Sequence, residues 1–399
     1  MKLMNHQQTA TKICLNQRAT LVAYAIGTGK TATALHCLNP KGKNLIVAPA
    51  SLLANWRKEL ALWGLDGSID VEILSYNAIK PEMTADTIIF DEAHLLKNEY
   101  SLRTCTAEIM TKRAKRIVML TATPVLNNIR EIKTLYKTMG IELPLLEGKD
   151  LHDYLIAKQL MLRVKTKEVL NLPEITFSQK DVKLKDTEEI IRLQEEIRQM
   201  YNDAQENMEE LWADYQMQLV GKLMQIRRHV GISKTHGAIE TINEQLAYKV
   251  GEPLVVFGYH QKVLELLAKT FNAPLIYGKT SLKKRNQYVE EFQEGKHPLI
   301  VCSIPAAGVG LNLTASSTCM FVEYDWTYAS FQQAFGRIYR KGQEQPCNVI
   351  NLISEHPIDA RHMELLEQKQ RFVDEIIDGN VNENVKTLQR KIIETILEI

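Results

Sequence analysis

Short, nearly continuous apolar runs separated by helical patterns constrain the fold of this chain more than any other feature. Five fall in the first third, at Leu21–Ala23, Leu45–Val47, Val71–Leu74, Ile88–Phe90 and Ile117–Leu120, and five in the last part, at Leu254–Phe257, Pro274–Tyr277, Leu299–Cys302, Met320–Val322 and Val349–Ile353. Runs that do not alternate with polar residues favour strands buried on both faces, as in a parallel sheet. Helical patterns such as Leu52–Trp63, Gln261–Thr270 and Leu282–Glu294 lie between the runs. The sequence therefore predicts an α/β chain with two doubly wound parallel-sheet domains.

The segment between these two regions has a different pattern. From Glu174 to Val220 there is neither proline nor glycine, and apolar residues recur at steps of three and four from Ile190 to Leu219, which predicts one face of a long helix. The opposite face is acidic, and it is either a solvated surface or an arm over 188–219 that docks a partner protein. We predict a helical insertion at 146–235 between domains at 1–145 and 236–375. An amphipathic helix at 376–399 would pack against the chain or bind a partner.

Composition excludes several classes of protein. Of the 399 residues, 45% are hydrophobic, and the chain contains no run of 18 apolar residues, so we expect no membrane span and no disordered ground state. The start MKLMNHQQTATK lacks the apolar stretch of a secretory signal. Six scattered cysteines without a C-x-x-C pair argue against a disulfide framework or a zinc site and fit a reducing cytosol.

The net charge of +1 is unevenly distributed along the chain. Residues 1–145 carry 18 Lys and Arg against 12 Asp and Glu, whereas the remainder is net acidic. A protein that coats polyanions would be basic throughout. Any contact with nucleic acid must therefore use a local groove.

A phosphate-binding loop follows the first apolar run, in the sequence Gly27-Thr28-Gly29-Lys30-Thr31. Glycines let the backbone curl so that successive N–H groups face an anion. Lys30 can then reach the β- and γ-phosphates, and the Thr31 hydroxyl can ligate Mg²⁺. Tyr24 stands where the full motif has its first glycine, so a plain glycine-rich turn is the alternative.

Two adjacent acids end the fourth apolar run, in Ile88-Ile89-Phe90-Asp91-Glu92-Ala93-His94. A nucleotide hydrolase needs one carboxylate for the Mg²⁺ shell and another to orient or deprotonate the attacking water. We assign the first role to Asp91 and the second to Glu92. A strand end that is merely capped by acids becomes a weak alternative after a phosphate-binding loop about 60 residues upstream.

A pair of arginines lies in the second α/β region, within the segment Gln333–Gln343. Arg337 and Arg340 are three residues apart, so on a helix they would share one face. There they can meet the γ-phosphate across an interdomain cleft as arginine fingers supplied within the chain. A basic helix end in a surface salt-bridge network is the alternative.

In this order, the motifs resemble those of the Swi/Snf family of superfamily-two helicase-type ATPases, from about Leu3 to about Ile353. The matching segments are Asn5-His6-Gln7, Gly27–Thr31, Ile46–Trp56, Asp91–His94 with Lys97-Asn98, Leu120–Pro124 with Asn127-Asn128, Leu254–Phe257, Ser303–Leu313, Tyr324–Trp326 and Gln333–Gln343. The departures are Tyr24, Ala122 and Gly336, and the ending Arg340-Lys341-Gly342-Gln343 is characteristic of the family.

The resemblance implies two tandem RecA-like domains that bind ATP and Mg²⁺, with Gln7 reading the adenine and Gly310 of the fifth motif bordering the nucleotide. It places Ser51 on one side of a nucleic-acid groove and Ser303 and Asn312 on the other. We therefore expect a monomeric, cytoplasmic, DNA-dependent ATPase that translocates on double-stranded DNA; in a eukaryote it would be nuclear. A strand-separating DNA or RNA helicase and an ATP-gated scaffold are the alternatives.

Overall fold

A computed structural model describes residues 2–124, 129–206, 212–307 and 310–378. These residues form two compact units, one of residues 2–172 with 369–378 and the other of residues 173–368. In the described part of the chain, no helix combines the length and apolar character that crossing a bilayer requires.

The first unit is built on a six-stranded parallel sheet in the order β3-β2-β4-β5-β1-β6. Its strands are β1 Ala19–Val22, β2 Asn44–Ala48, β3 Val71–Ser75, β4 Thr87–Asp91, β5 Arg116–Leu120 and β6 Met161–Leu162. Its helices are α1 Asn5–Asn16, α2 Lys30–Leu35, α3 Leu53–Leu62, α4 Leu102–Thr111, α5 Ile129–Thr138, α6 Gly148–Ala157 and α7 Thr166–Val169. Two short 3₁₀ helices cover Ala50–Leu52 and Ala93–Leu96.

The second unit has a six-stranded parallel sheet in the order β7-β12-β11-β8-β10-β9. Its strands are β7 Ile175–Val182, β8 Leu254–Gly258, β9 Leu275–Ile276, β10 Leu299–Ser303, β11 Thr318–Phe321 and β12 Cys347–Ser354. Its helices are α8 Glu188–Glu206, α9 Trp212–Ser233, α10 Thr235–Tyr248, α11 Gln261–Thr270, α12 Leu282–Gln293, α13 Ile304–Ala307 and α14 Tyr328–Phe335. The last helix, α15 Pro357–Asp378, begins in this unit, and its residues 369–378 belong to the first.

Each sheet is buried on both faces, which explains the continuous apolar runs. In β2, Leu45 and Val47 belong to one apolar cluster, whereas Ile46 and Ala48 belong to another. The same alternation divides β8 between two clusters of the second unit. Side chains on a strand alternate between the faces of the sheet, so both faces must be covered by apolar groups. The predicted tandem of RecA-like parallel sheets is confirmed, and all ten predicted runs overlap strands.

The prediction of one long helix across 190–219 is wrong. The structure has two helices, α8 and α9, and Lys222 of α9 pairs with Glu196 of α8. In one straight helix, residues 26 apart would be about 39 Å from each other. The apolar faces of the two helices instead form a shared cluster that contains Ile190, Leu193, Ile197, Leu219, Ile226 and Val230. Periodicity predicts which face is apolar, but it does not reveal where the chain turns back.

The acidic face of α8 is partly neutralised within the helix. Arg192 pairs with Glu189 and Glu196, and Arg198 pairs with Glu195 at 3.3 Å. These pairs fit the solvated-surface interpretation of this face, and the docking arm stays a prediction.

The segment predicted as a helical insertion contains two strands. Strand β6 pairs with β1 in the first sheet, and β7 pairs with β12 in the second. The predicted domain boundaries at residues 145 and 235 stay predictions. The C-terminal helix predicted at 376–399 lies outside the described residues, except for 376–378 at the end of α15.

Candidate functional site

The predicted nucleotide-binding residues meet at one edge of the first sheet. Strands β4, β5 and β1 are neighbours, and the register sets Asp91 beside Leu120 and Leu120 beside Val22. The phosphate-binding loop follows β1, and Thr121 follows β5. Ligands of open α/β sheets bind at the carboxyl ends of the strands, where all these residues lie.

The backbone of the phosphate-binding loop has the curl that its glycines predict. Gly27 and Gly29 have φ values of 79° and 84°, a left-handed conformation that a side chain would strain. Thr28 is fully buried, and its hydroxyl donates to the Ala25 carbonyl at 2.7 Å. The Lys30 ammonium donates to the carbonyls of Tyr24 and Ala25 at 3.0 and 3.3 Å, so it lies inside the curl of the loop.

Helix α1 packs directly against this loop through Gln7. The Gln7 amide donates to the Gly29 carbonyl at 3.3 Å, and its oxygen accepts from the Met4 N–H at 2.8 Å. A Cβ atom on Gly29 would lie 2.1 Å from Gln7 Nε2, so this approach requires a glycine. The structure thus brings Gln7 to the phosphate-binding loop, and its predicted contact with adenine stays a prediction.

Tyr24, which replaces the first glycine of the full motif, has a structural role. Its side chain is buried, and its hydroxyl donates to the His6 carbonyl at 3.1 Å. Tyr24 therefore fixes the helix that carries Gln7, and its backbone does not adopt a positive φ that would demand glycine.

The segment that follows β6 supports the outer side of the phosphate-binding loop, a role that no sequence motif predicts. Val164 accepts from the Ala25 N–H at 2.9 Å, and the Thr166 hydroxyl donates to the Ile26 carbonyl at 3.1 Å. Arg163 donates to the Ala23 carbonyl and to Asp378 of α15, each at 2.8 Å.

Asp91 is held at the end of β4 by hydrogen bonds to both carboxylate oxygens. Trp56 Nε1 donates to Oδ2 at 2.8 Å, and the Glu92 N–H donates to Oδ1 at 2.9 Å. Burial, reinforced by the charge of Glu92, raises the pKa of Asp91 to about 6, whereas the Trp56 hydrogen bond and the Lys30 charge oppose the rise. The charge of Lys30 in the phosphate-binding loop is therefore one of the groups that set the pKa of Asp91.

Glu92 has an unusual backbone, with φ and ψ both 50°. A non-glycine residue in this left-handed region costs about 1–3 kcal/mol, and such strain concentrates at functional sites. His94 Nδ1 lies 3.3 Å from Glu92 Oε2 and 3.2 Å from the Thr121 hydroxyl. His94 therefore joins the acidic pair to the segment after β5, a link for which the sequence offered only the weak Leu120–Pro124 motif.

The chemistry of these donors fits Mg²⁺. The ion binds proteins through one or two carboxylates and keeps water and substrate phosphates as its other ligands. Asp91 offers a buried carboxylate whose oxygens retain further lone pairs, and Thr31 offers a hydroxyl on α2. In the described residues, no group of three or more His, Cys, Asp or Glu forms an all-protein metal cage.

The predicted nucleic-acid residues lie after strands of both sheets. Ser51 is half-buried in the 3₁₀ helix after β2. Ser303 ends β10 and is buried, with its hydroxyl accepting from the Ala306 N–H at 3.3 Å, whereas Gly310 and Asn312 are exposed. Gly310 has a φ of 66°, which favours glycine at that position.

The two arginines are not on a helix, contrary to the sequence prediction. Helix α14 ends at Phe335, and Arg337 and Arg340 follow in tight turns. The Arg337 carbonyl accepts from the Leu313 N–H at 3.0 Å, and the Arg340 guanidinium donates to the Leu311 carbonyl at 3.0 Å. The arginine segment is thereby tied to the segment of Gly310 and Asn312, and the predicted shared helix face does not exist.

Gln343 completes that connection. Its buried amide donates to the carbonyls of Thr314, Ser316 and Ile338 at 3.3, 2.8 and 3.2 Å. This explains why a glutamine ends the segment, a position that was identified only through the resemblance to a family.

This architecture is similar to that of known proteins. The family model "Helicase conserved C-terminal domain" matches residues 237–342. The chain is 27% identical to the "Putative ATP-dependent helicase/translocase YwqA" of Bacillus subtilis, over 85% of this chain and 44% of that protein. It is 28% identical to the "SWI/SNF-related matrix-associated actin-dependent regulator of chromatin subfamily A-like protein 1 homolog" of Caenorhabditis elegans, over 88% of this chain and 58% of that protein.

A solved structure, the "Sulfolobus solfataricus SWI2/SNF2 ATPase core in complex with dsDNA", aligns over 95% of this chain and 94% of that one. The TM-score of this alignment is 0.40 and its sequence identity is 21%.

The matched C-terminal helicase domain lies in the second of the two RecA-like parallel-sheet units. Similarity to the SWI/SNF-related protein of Caenorhabditis elegans extends over 88% of the chain at 28% identity, and similarity to the "ISWI chromatin-remodeling complex ATPase ISW1" of Saccharomyces cerevisiae extends over 92% of it at 23% identity. The chain spans less than half the length of the Bacillus relative.

Proposed function

We propose that this chain hydrolyses ATP and uses the energy to translocate on double-stranded DNA without separating its strands. One observation carries the proposal: the curled phosphate-binding loop and the acids Asp91 and Glu92 lie at the same edge of the first sheet, after strands β1 and β4, which both pair with β5. The name of the Bacillus relative, a helicase/translocase, and that of the worm relative, a regulator of chromatin, support DNA as the track.

Each candidate nucleotide-binding residue of the first unit has a defined role in this proposal. The N–H groups of Gly27, Thr28 and Gly29 cradle the phosphates, and Lys30 neutralises the β- and γ-phosphates. Thr31 and Asp91 hold Mg²⁺, which when bound neutralises charge on the phosphate oxygens.

The strained backbone of Glu92 presents its carboxylate to the attacking water, as general base or orienting group. His94 limits the positions open to that carboxylate. Gln7 contacts the adenine, and Gly310 borders the nucleotide, as the family resemblance implies.

Arg337 and Arg340 are proposed to stabilise charge on the γ-phosphate during hydrolysis. Guanidinium groups used in this way accelerate phosphoryl transfer because they act on charge that develops in the transition state. Their hydrogen-bonded tie to the segment of Asn312 supports a link between hydrolysis and nucleic-acid contact.

Ser51, Ser303 and Asn312 are proposed to contact the phosphates of DNA. Hydroxyl, amide and backbone groups that bind phosphates carry no sequence information, which suits a motor that moves along any sequence.

A triplex-displacement assay beside a forked-duplex assay tests the proposal. We expect ATP-dependent release of the third strand from a triplex and no separation of the forked duplex, with Lys30→Ala inactive in both. Separation of the forked duplex would instead support the strand-separating helicase. Failure of wild-type protein in both assays would contradict a motor of either kind.

A further inference from the structure

Arg227 of α9 is a buried cation that the proposed chemistry does not use. Only 5% of its surface is exposed, and its guanidinium lies between two rings, 4.7 Å from the centroid of Tyr259 and 4.5 Å from that of Trp326. Its two terminal nitrogens have no hydrogen-bond partner among the residues that the structure describes. The side chain is therefore held by stacking on both faces and not by a directed ion pair.

Glu323 fixes one side of this stack. Its carboxylate accepts from the N–H groups of Tyr259 and His260 at 2.9 and 2.8 Å and lies 2.5 Å from His260 Nδ1. Gly231, one turn beyond Arg227 on α9, gives the carboxylate room, because a Cβ atom there would lie 2.2 Å from Glu323 Oε1. Helix α9 thus docks on the ends of β8 and β11 through Arg227 and Gly231.

The other side of the stack, Tyr324–Trp326, is held by two further groups. Lys234 is buried and lies 5.8 Å from the Tyr324 ring centroid, while it donates to the Leu352 carbonyl at 2.7 Å. His362 stacks on Trp326 with centroids 4.8 Å apart. The segment therefore packs against Arg227, Lys234 and His362.

The stack lies between the two functional parts of the second unit. Strand β8 is the neighbour of β10, and their register pairs Gly258 with Ser303, so Tyr259 follows at the level of the proposed nucleic-acid contact. On its other side, Trp326 is followed by Thr327, which caps α14, and that helix leads directly to Arg337. Arg227 is thus in contact with both the ring that follows β8 and the ring that precedes α14.

An anion site is the less suitable interpretation of this buried guanidinium. Burial lowers the pKa of Arg227, and surrounding negative charges, that of Glu323 foremost, oppose the shift. These same charges repel an anionic ligand.

We propose that Arg227 is a positioning residue that couples nucleic-acid occupancy near Ser303 to the placement of Arg337 and Arg340. The proposal rests on the proposed DNA-dependent ATPase activity. A planar guanidinium can stack on two rings at once, whereas an ammonium on a flexible stem cannot replace it. Charge alone is therefore insufficient at this position.

The test compares Arg227→Met and Arg227→Lys with the same substitutions at Arg228, an exposed neighbour on α9. In the full chain, kcat and KM for ATP are measured with and without duplex DNA, and amide hydrogen exchange is followed in residues 324–335. We expect both Arg227 variants to lower the DNA-stimulated kcat by about tenfold. The KM for ATP and the basal rate of both variants should stay within about twofold of the wild-type values, because only the coupling to DNA is lost. Exchange in 324–335 should become faster, and the Arg228 variants should match wild type.

The outcomes separate this proposal from the proposed function. If duplex DNA does not stimulate wild type, the proposed function is wrong and the coupling falls with it. If DNA stimulates wild type and both Arg227 variants equally, the proposed coupling role of Arg227 is wrong and the proposed function stands. This holds even if hydrogen exchange in residues 324–335 is faster in the variants. If Arg227→Met does not fold, the lysine variant decides, and its full stimulation would overturn the proposal.

Discussion

Asp91 and Glu92 are adjacent in sequence, yet the fold gives them different surroundings. Asp91 is buried and hydrogen-bonded at both oxygens, whereas Glu92 is half-buried on a left-handed backbone beside His94. A ligand to an ion needs a fixed position, and a residue that activates water needs access to it. The two environments match the two roles that we assign to these acids.

Replacement of Glu92 by glutamine tests the water-activating role. We expect Glu92→Gln to lower the ATPase kcat by at least about 100-fold, because the amide cannot accept a proton. The amide has the size of the carboxylate, so thermal unfolding should change little. Glu82→Gln, at an exposed position, is the matched control. Near-normal hydrolysis by folded Glu92→Gln protein would refute the assignment.

Trp56 has a role in metal binding that its buried position alone does not suggest. Its indole N–H orients Asp91 Oδ2 and favours the ionised carboxyl group. We expect Trp56→Phe to raise the Mg²⁺ concentration for half-maximal ATPase activity by about tenfold, the usual effect of losing a partner of a metal ligand. An unchanged Mg²⁺ requirement in a folded variant would show that Asp91 does not depend on Trp56.

Residue identity predicted the site better than it predicted the contacts within it. Glycine, lysine and carboxylate spacing identified the loop and the acids, because these residue types have few other uses in that order. The contacts of Tyr24 with His6 and of Arg163 with Ala23 depend on residues distant in sequence, which no local pattern encodes.

At the scale of elements, burial decided which predictions were correct. Strands covered on both faces produce continuous apolar runs, and the predicted runs end within two residues of the observed strand ends. Strand β7 is an edge strand whose side chains are mostly exposed, so it has no such run and was missed. The division into α8 and α9 was missed because the apolar residues of both helices follow one continuous period in the sequence.

Two glycines of α9 offer a matched test of how this helix docks. A Cβ atom on Gly231 would lie 2.2 Å from Glu323 Oε1, whereas one on Gly221 would meet no atom within 4 Å. We expect Gly231→Ala to destabilise the protein by about 1–3 kcal/mol through overpacking. Gly221→Ala should stabilise it by up to about 1 kcal/mol through helix propensity. Equal effects in chemical denaturation would contradict the docking of α9 on Glu323.

Helix α15 carries a carboxyl group whose titration should be measurable as stability. Burial and the neighbouring charge of Asp378 raise the pKa of Asp374 from 3.8 to about 6. A raised pKa means that the unfolded chain releases this proton first, so the folded state loses stability as the pH rises from about 4 to about 6. The Asp374→Asn variant does not undergo this loss, so its gain in the free energy of unfolding over wild type reaches its full value above about pH 6.

We expect Asp374→Asn to raise the Tm at pH 8 by about 2 °C and to give no gain at pH 3.5. The increase is small because solvent screens the charge of this partly exposed carboxyl group. Asp378→Asn is the opposite control, because that carboxylate pairs with Arg163 at 2.8 Å and its loss should lower the Tm at pH 8. A gain for Asp374→Asn that is independent of pH would contradict the pKa.

At the scale of the whole molecule, the two sheets divide the chemistry. The first unit contains the phosphate-binding loop and the predicted metal ligands, and the second contains Gly310, the arginines predicted to act on the γ-phosphate and most of the predicted DNA contacts. Neither half alone has the residues for nucleic-acid-dependent hydrolysis. The sequence predicted which residues belong to each unit, because each motif follows a predicted strand of one of the two α/β regions. The carboxyl ends of parallel strands lie at one edge of a sheet, so the motifs of one region come together there.

The ATPase rate of the full chain with single-stranded DNA, double-stranded DNA and RNA of matched length tests the central claim most directly, with Lys30→Ala as the control. We predict that double-stranded DNA raises kcat more than either other polymer and that Lys30→Ala shows no activity with any of them. A rate that no nucleic acid changes, or that only RNA raises, would contradict the account.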